Sequence, residues 1–163
     1  MNKVMEKSKQ KPTKKRIIIL VVVVVLVLLI LGIIGGIMKD HKEASTFTVS
    51  GESMEPTLSD GDTINVNKDY KLDRFDVVVF KFNDITYVKR VIGLPNETIT
   101  YSDNKLYIND KLIEDPYNDG NTDDFSITLK DGEFYCLGDN RAVSTDSRKL
   151  GRMLKSYIIG EMK

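Results

Sequence analysis

An uninterrupted apolar stretch near the N-terminus constrains this chain more than any other feature of its sequence. Residues 17–38 are 22 in number and are all Ile, Val, Leu, Met or Gly. As an α-helix the stretch would extend ~33 Å, at ~1.5 Å per residue, enough for a hydrocarbon layer of about 30 Å. A buried helix of a soluble protein or a cleaved signal peptide, with an apolar core of about 7–15 residues, fits this length less well. The sequence predicts one N-terminal transmembrane helix over residues 17–38.

The charges on the two sides of this stretch have opposite signs. Residues 1–16 carry seven Lys/Arg and one Glu, a net charge of +6, whereas residues 39–163 carry 17 Lys/Arg and 23 Asp/Glu, a net charge of −6. Positive charge before a span favours a cytoplasmic N-terminus. We therefore expect a basic cytoplasmic tail over residues 1–16 and an extracytoplasmic domain over residues 39–163. An acidic domain also argues against nucleic acid as a partner.

The chain has one cysteine, Cys136, and one histidine, His41. It cannot form an internal disulfide, and it lacks the residues of an ordinary protein-only zinc site. The sequence therefore predicts no metal and no cofactor.

From residue 47 onward the sequence consists of short alternating or β-branched segments separated by turn residues, which is typical of antiparallel sheets. The predicted strands lie at residues 63–67, 76–82, 85–92, 98–101, 105–108, 111–113, 125–129, 134–137 and 158–160. Residues 102–104 and 109–110 are predicted turns, and residues 114–124 an exposed loop. The pattern predicts an all-β sandwich or barrel.

Ser53 is the first candidate for chemistry. It lies in the stretch 50–58, two residues after Gly51 and three before Pro56, where the chain can turn sharply. A serine nucleophile needs an exposed hydroxyl on a constrained turn and a nearby donor for the oxyanion. Taken by itself, the stretch is more typical of a surface turn with a solvated serine, since Gly and Ser are common turn residues.

Lys89 is the candidate base for such a serine. A Ser-His-Asp triad would require His41, which lies immediately after the apolar stretch and fits a solvated flank better. Lys89 lies in an apolar predicted strand, where alternation places it either in the core or in solvent. In the core, desolvation would lower its pKa from about 10.4 towards the working range.

The polar stretch 138–148 offers a third group of candidates. Asp139 and Asp146 could pair with Arg90, Arg141 or Arg148, and Ser144 could hydrogen-bond the neutral amine of Lys89. A salt-bridged surface loop is the alternative.

Together, the stretches 50–58, 74–80, 87–95 and 138–148 resemble the bacterial type I signal peptidases of the Gram-positive kind, which are membrane-bound Ser-Lys endopeptidases. The resemblance covers nearly the whole chain. It implies two antiparallel sheets with a small β insertion at about residues 103–134. It also implies a cell-membrane enzyme that cleaves N-terminal signal peptides from secreted precursors after small residues, with these precursors and the lipid bilayer as its partners.

The resemblance also implies a role for individual residues. Ser53 would be the nucleophile, its backbone N–H would help to form the oxyanion hole, Lys89 would be the general base, and Ser144 would orient Lys89. The residues implied as structural ion pairs are Arg90, Asp139, Asp146 and Arg148, and those that shape the nucleophile turn are Met54 and Pro56.

Three positions depart from the family pattern. Gly51 falls where Gram-negative members have a serine that assists the oxyanion hole, so this donor is expected to be missing or replaced by water. Phe75 replaces a usual glycine and puts the local turn in question. Asn96 also replaces a usual Gly or Asp, and asparagine can adopt the left-handed conformation of a turn.

Two alternatives to a signal peptidase are a different Ser-Lys enzyme and, from another class, a non-catalytic anchored scaffold or degenerate pseudo-enzyme. A self-cleaving repressor-like Ser-Lys protein shares part of the β scaffold, but it would carry a DNA-binding domain and no membrane span. A non-catalytic anchored scaffold would show no loss of rate when Ser53 or Lys89 is substituted.

Overall fold

The structure, a computed structural model, describes residues 14–38, 44–118, 120 and 122–163. The chain divides between residues 41 and 42 into two units. The first contains the helix α1 (Lys14–Met38), which covers the apolar stretch and begins three residues before it. Among the described residues, no helix combines the length and apolar character that crossing a bilayer requires. The predicted tail up to residue 13 and the flank 39–43 lie outside the described residues.

The described residues of the second unit are mainly β-strand. In chain order, the elements are β1 (Ala44–Thr48), β2 (Thr63–Asn67), β3 (Val77–Phe82), β4 (Ile85–Gly93), β5 (Thr98–Ser102), β6 (Lys105–Ile108), β7 (Lys111–Ile113), β8 (Phe125–Thr128), β9 (Glu133–Leu137), the short helix α2 (Ser147–Leu150), β10 (Met153–Leu154), a 3-10 turn (Lys155–Tyr157) and β11 (Ile158–Met162).

These strands form two antiparallel sheets. The larger sheet has the order β1-β2-β11-β3-β4-β9-β10, and the smaller one has the order β7-β6-β5-β8. Neighbouring strands run antiparallel in both. The predicted fold class of two antiparallel sheets is therefore confirmed.

Pairs of Asn and Asp residues close three of the hairpins. All six residues have a positive φ, between +47° and +63°, as two-residue turns that match the twist of a hairpin require. Asn and Asp adopt this conformation more readily than other non-glycine residues. The pairs are Asn83–Asp84, Asp103–Asn104 and Asn109–Asp110.

Strand β3 is central to the larger sheet and is buried on both faces. Val77 and Val79 pack in one apolar cluster with Met54, while Val78 and Phe80 pack in another, on the opposite face. Successive side chains of a strand point to opposite faces, which explains why this strand is continuously apolar.

A third apolar cluster joins the two sheets. It contains Ile92 of β4, Tyr101 of β5 and Leu137 of β9, all almost completely buried. Burying a large apolar side chain contributes about 1.5–3 kcal/mol, so this cluster holds the smaller sheet against one end of β4 and β9. These two strands also carry or precede most of the candidate site residues.

Candidate active site

The nucleophile turn, residues 50–58, lies in the connection between β1 and β2, and two of its side chains anchor it to the apolar core. Met54 has no exposed surface and packs with Leu58 in the cluster that also contains Val79. Pro56 follows a cis peptide bond. Because Met54 directly follows Ser53, its burial fixes the backbone beside the serine, whose side chain remains half-buried.

Ser53 and Lys89 are in direct contact. Lys89 lies within β4, is 3% exposed and donates hydrogen bonds from Nζ to Ser53 Oγ at 2.7 Å and to the carbonyl oxygen of Val88 at 2.6 Å. The sequence left open whether this lysine faces the core or solvent; the structure places it in the interior. The two residues are 36 positions apart in the chain, and the sheet brings them together.

Burial lowers the pKa of Lys89 to about 8, because removal from water disfavours the ammonium form. Asp146, Asp139 and Cys136 act in the opposite direction and raise it. Both carboxylates form their ion pairs with arginines, and among the described residues neither pairs with Lys89. The amine therefore lies near carboxylates without a salt bridge that would keep it charged.

Arg90 and Asp139 form a buried, bidentate ion pair. Nε donates to Oδ1 at 2.7 Å and Nη2 donates to Oδ2 at 2.6 Å, with side chains that are 5% and 1% exposed. Thr57 Oγ1 donates to the same carboxylate at 2.5 Å, and Asn140 N–H donates to the carbonyl oxygen of Ser53 at 3.2 Å. The predicted pair therefore connects β4 to the nucleophile turn and to the loop after β9.

Asp146 and Arg148 form the second predicted ion pair. Arg148 Nη2 donates to Asp146 Oδ2 at 2.8 Å, and the N–H of Gly138 donates to the same oxygen at 3.0 Å. Burial favours the neutral acid, but the hydrogen bonds from Arg148 and Gly138 outweigh it and hold the pKa of Asp146 below its ordinary value. Asp146 also caps the short helix α2 through Arg148 N–H. The pair closes the 138–148 loop, the segment between β9 and α2.

Ser144 lies in this loop but does not form the predicted contact. It is buried, and among the described residues its Oγ forms no hydrogen bond of regular geometry, to Lys89 or to any other group. The hydroxyl instead acts on Asp146 and helps to hold the pKa of that carboxyl low. A Cβ at Gly138 would overlap Ser144 Oγ and the carbonyl oxygen of Ser53. Only a residue without a side chain allows the loop to lie this close to the nucleophile turn.

Arg141 forms an ion pair that was not predicted. Its side chain has no exposed surface, and Nη2 donates to Asp115 Oδ2 at 2.9 Å rather than to Asp139 or Asp146. The interpretation of residues 114–124 as simply an exposed loop is wrong at Asp115, whose side chain is 2% exposed. No local sequence pattern indicates this contact, because the two residues are 26 positions apart and lie in different loops, Asp115 after β7 and Arg141 after β9.

The three departures from the family pattern all fall at positive φ. Gly51 has a φ of +88°, Phe75 of +74° and Asn96 of +67°. The left-handed conformation suggested for Asn96 is confirmed. At Phe75 the glycine-like backbone is kept despite the bulky side chain, which packs against the cluster between the sheets. Its carbonyl oxygen accepts from Arg90 Nη1 at 2.6 Å.

An open groove of about 920 Å³ passes over Ser53 and Lys89. Strand β4 and the end of β1 line it, together with the turn residues that precede Ser53 and with Val143 and Thr145 of the 138–148 loop. Within the described part of the chain, no group of three or more His, Cys, Asp or Glu side chains could hold a metal ion. The chemistry offered by the described site is that of a hydroxyl beside a desolvated amine.

Comparison with known proteins agrees with this geometry. The family described as signal peptidase, peptidase S26, matches residues 15–163. The chain belongs to this family. Signal peptidase I of Streptococcus pneumoniae serotype 4 is 37% identical over 73% of this chain and 80% of its own length, and signal peptidase I of Bacillus amyloliquefaciens is 35% identical over 98% and 93%.

The crystal structure of a signal peptidase I from Enterococcus faecalis V583 is also similar. It matches with a TM-score of 0.54 and 33% identity, over 58% of this chain and 98% of that one. The family inferred from four sequence stretches is therefore confirmed, and the chain is a serine peptidase of the signal peptidase I family. The roles of individual residues remain predictions.

Proposed function

We propose that this chain is a membrane-anchored endopeptidase that removes N-terminal signal peptides from secreted precursors after small residues, with Ser53 as nucleophile and Lys89 as general base. The observation that carries this proposal is the 2.7 Å hydrogen bond between Lys89 Nζ and Ser53 Oγ. The relatives named signal peptidase I support the substrate class.

The first step requires the neutral amine. With a pKa of about 8, an appreciable fraction of Lys89 is unprotonated near neutral pH, whereas an unperturbed lysine is almost entirely charged. The lone pair of Nζ then takes the proton from Ser53 Oγ while Oγ attacks the scissile carbonyl carbon. The ammonium returns this proton to the leaving amine, and the acyl-enzyme remains.

The second step hydrolyses the acyl-enzyme. Lys89, neutral again, takes a proton from water as the water oxygen attacks the ester carbon, and Ser53 Oγ leaves with that proton. The negative charge that develops on the carbonyl oxygen needs a donor. The backbone N–H of Ser53 fits this role, because among the described residues it donates to no protein acceptor. Gly51 supplies no side-chain donor.

The groove fits an extended peptide. One wall is formed by β4 from Ile85 to Lys89 and the other by the end of β1 and the residues that precede Ser53. A cleavage segment in this groove would add as a strand, with main-chain hydrogen bonds for affinity and shallow pockets that admit small side chains such as Ala. The proposed reaction uses no nucleic acid, metal or cofactor.

The sequence supports the membrane anchor in this proposal. In the sequence, residues 17–38 are 22 consecutive apolar residues or glycines, a length at which a segment becomes a candidate for spanning a bilayer, and the seven Lys/Arg before them favour a cytoplasmic N-terminus. Ser53 is 15 residues past Met38, so it can stay within ~50 Å of the outer surface. A precursor is itself held there by its signal segment, and confinement to one surface raises the effective concentration of both.

Substitution of the dyad tests the proposal. Ser53→Ala and Lys89→Ala in the detergent-solubilised full chain should each lower cleavage of a precursor with a small-x-small site by at least about 100-fold, the usual contribution of general-base catalysis. The wild-type rate should rise with pH and level off above about 8, because deprotonation produces the active amine.

Ser59→Ala and Lys81→Ala are matched controls, since both side chains are exposed and lie outside the groove. They should retain the wild-type rate. Near-normal cleavage by either dyad variant, or a wild-type rate that falls through pH 8, would contradict the assignment of nucleophile and base.

A further inference from the structure

Residues 115–117, here called the 115–117 segment, lie in the connection between β7 and β8 of the smaller sheet. The side chain of Asp115 is 2% exposed and Tyr117 is half-buried. One carboxylate oxygen of Asp115, Oδ1, accepts the N–H of Tyr117 at 3.1 Å. This bond joins the Asp115 side chain to the backbone of Tyr117, and the side chain of each residue contacts a different buried arginine near the site.

Asp115 holds the 138–148 loop through Arg141. Its Oδ2 accepts from Arg141 Nη2 at 2.9 Å and also from the hydroxyl of Tyr101. Arg141 Nε donates to the carbonyl oxygen of Gly138 at 2.9 Å, so the guanidinium bridges the segment and the start of the loop. A buried arginine with these partners has few alternative positions, since each displaced hydrogen bond would leave a buried polar group unpaired.

Tyr117 covers the other arginine. The guanidinium carbon of Arg90 lies 3.4 Å from the centroid of the Tyr117 ring, within the range of a cation–π contact. Phe75 also packs against this ring, with centroids 5.8 Å apart. A cleft of about 640 Å³, lined by Tyr117 and Asp139 among others, adjoins this ion pair. The ring therefore separates the guanidinium of Arg90, which does not line the cleft, from water there.

We infer that the 115–117 segment is a positioning element of the catalytic site. Through Arg141, Asp115 fixes the loop that carries Ser144 and part of the groove. Through Arg90, Tyr117 fixes Asp139 and, with it, the nucleophile turn. Neither side chain lines the groove, so both are positioning residues. The inference rests on the proposed function.

A change in the position of Arg90 should also change the pKa of Lys89. Among the described residues, four kinds of group face the amine of Lys89: the hydroxyl of Ser53 in the nucleophile turn, the carboxylates of Asp139 and Asp146 in the 138–148 loop, the thiol of Cys136 in β9 and, 5.9 Å away, the ring of Tyr87. Both carboxylates raise the pKa of Lys89, and an arginine pairs with each. If Arg90 loosens, less of the Asp139 charge is compensated. The pKa of Lys89 should then rise, which a mere loss of folded protein would not cause.

The test compares Tyr117→Leu with Tyr117→Phe in the detergent-solubilised full chain, across pH and with a precursor that bears a small-x-small site. Loss of a desolvated cation–π contact should lower kcat about five- to tenfold in Tyr117→Leu. KM should stay within about twofold, since the groove is untouched, and the pH midpoint should move upward. Tyr117→Phe keeps the ring and should restore kcat and the midpoint.

Tyr107→Leu is the matched control. Tyr107 is a half-buried tyrosine of β6 in the same sheet, and it does not line the groove. If Tyr117→Leu matches Tyr107→Leu in both kcat and midpoint, or if Tyr117→Phe is as impaired as Tyr117→Leu, the inference is overturned. Failure of the proposed function is distinguishable, because cleavage by the wild type would then be absent or would persist in Ser53→Ala.

Asp115→Asn tests the second contact. It keeps the shape of the side chain but removes the charge that pairs with Arg141, and kcat should fall with KM little changed. Unchanged kcat in a variant that melts as a folded protein would overturn the part of the inference that concerns Arg141. If this variant does not fold, the comparison of Tyr117→Leu with Tyr117→Phe decides whether the segment positions the site, since the Tyr117 side chain is only half-buried.

Discussion

Two adjacent residues of β4 each have a buried cationic side chain, one in contact with neutral groups and the other with a carboxylate. Lys89 is 3% exposed and contacts a neutral hydroxyl and a carbonyl oxygen. Arg90 is 4% exposed and is held by both oxygens of Asp139. Successive side chains of a strand point to opposite faces, so one strand serves two separate environments. We call these the Lys89 side and the Arg90 side.

The difference explains why the pKa of the Lys89 amine is low. Burial is nearly equal on the two sides, so the sides differ in what compensates the buried charge and not in how far water is excluded. On the Arg90 side a carboxylate compensates the charge, and the pair stabilises the surrounding loops. On the Lys89 side no carboxylate pairs with the amine within the described residues, and its pKa falls to about 8. The following predictions test this contrast.

The largest effect on stability is expected from breaking the Arg90 side. Asp139→Asn leaves the guanidinium of Arg90 buried without its counter-charge, which should lower the free energy of unfolding by about 3–5 kcal/mol. Urea unfolding at pH 7 measures this. Asp84→Asn is the control, because it removes the exposed partner of Lys81 and should cause no measurable change. Equal effects in the two variants would show that burial does not matter for this pair.

A substitution on the Lys89 side should change the free energy of unfolding in the opposite direction. Lys89→Met removes a cation that the folded state disfavours, so it should raise the free energy of unfolding at pH 7 by about 3 kcal/mol, at 1.36 per pKa unit. Because the pKa of Lys89 is lowered on folding, its penalty is complete below about 8 and disappears as pH rises towards the unfolded value. The gain should therefore vanish near pH 10.5. A destabilised Lys89→Met variant at pH 7 would contradict the contrast.

The smallest expected effect concerns Phe75, which belongs to the Arg90 side through its carbonyl oxygen. At a φ of +74°, a side chain is strained, and glycine avoids this strain. Phe75→Gly and Phe75→Ala both lose the ring, but only glycine relieves the backbone. The glycine variant should be more stable than the alanine variant by about 1 kcal/mol. Thermal melts of both variants measure the difference, and a more stable alanine variant would refute the strain.

Much of the fold could be predicted from local patterns. Alternation in β2 and the continuous apolar run of β3 gave strands close to the observed ones, and Asp103–Asn104 and Asn109–Asp110 marked two hairpin turns. The pair Asn83–Asp84 carries the same signal but was not predicted as a turn. In each case the cause lies within a few residues, which is why periodicity and turn chemistry suffice.

The candidate site was predictable only in part. The motifs indicated Ser53 and Lys89, but no local pattern could decide which way Lys89 faces, since that depends on what covers the sheet. The partner of Arg141 was not predicted, and the contact of Tyr117 with Arg90 was not anticipated. Such contacts between distant parts of the chain depend on how the two sheets pack, and composition or spacing does not encode this.

The close approach at Gly138 sets a limit on any redesign of this peptidase. A single added carbon would displace either the Ser144 hydroxyl or the main chain at Ser53. At position 138 the space admits a hydrogen atom and no carbon. A library intended to change substrate preference should therefore vary the groove walls and leave position 138 as it is.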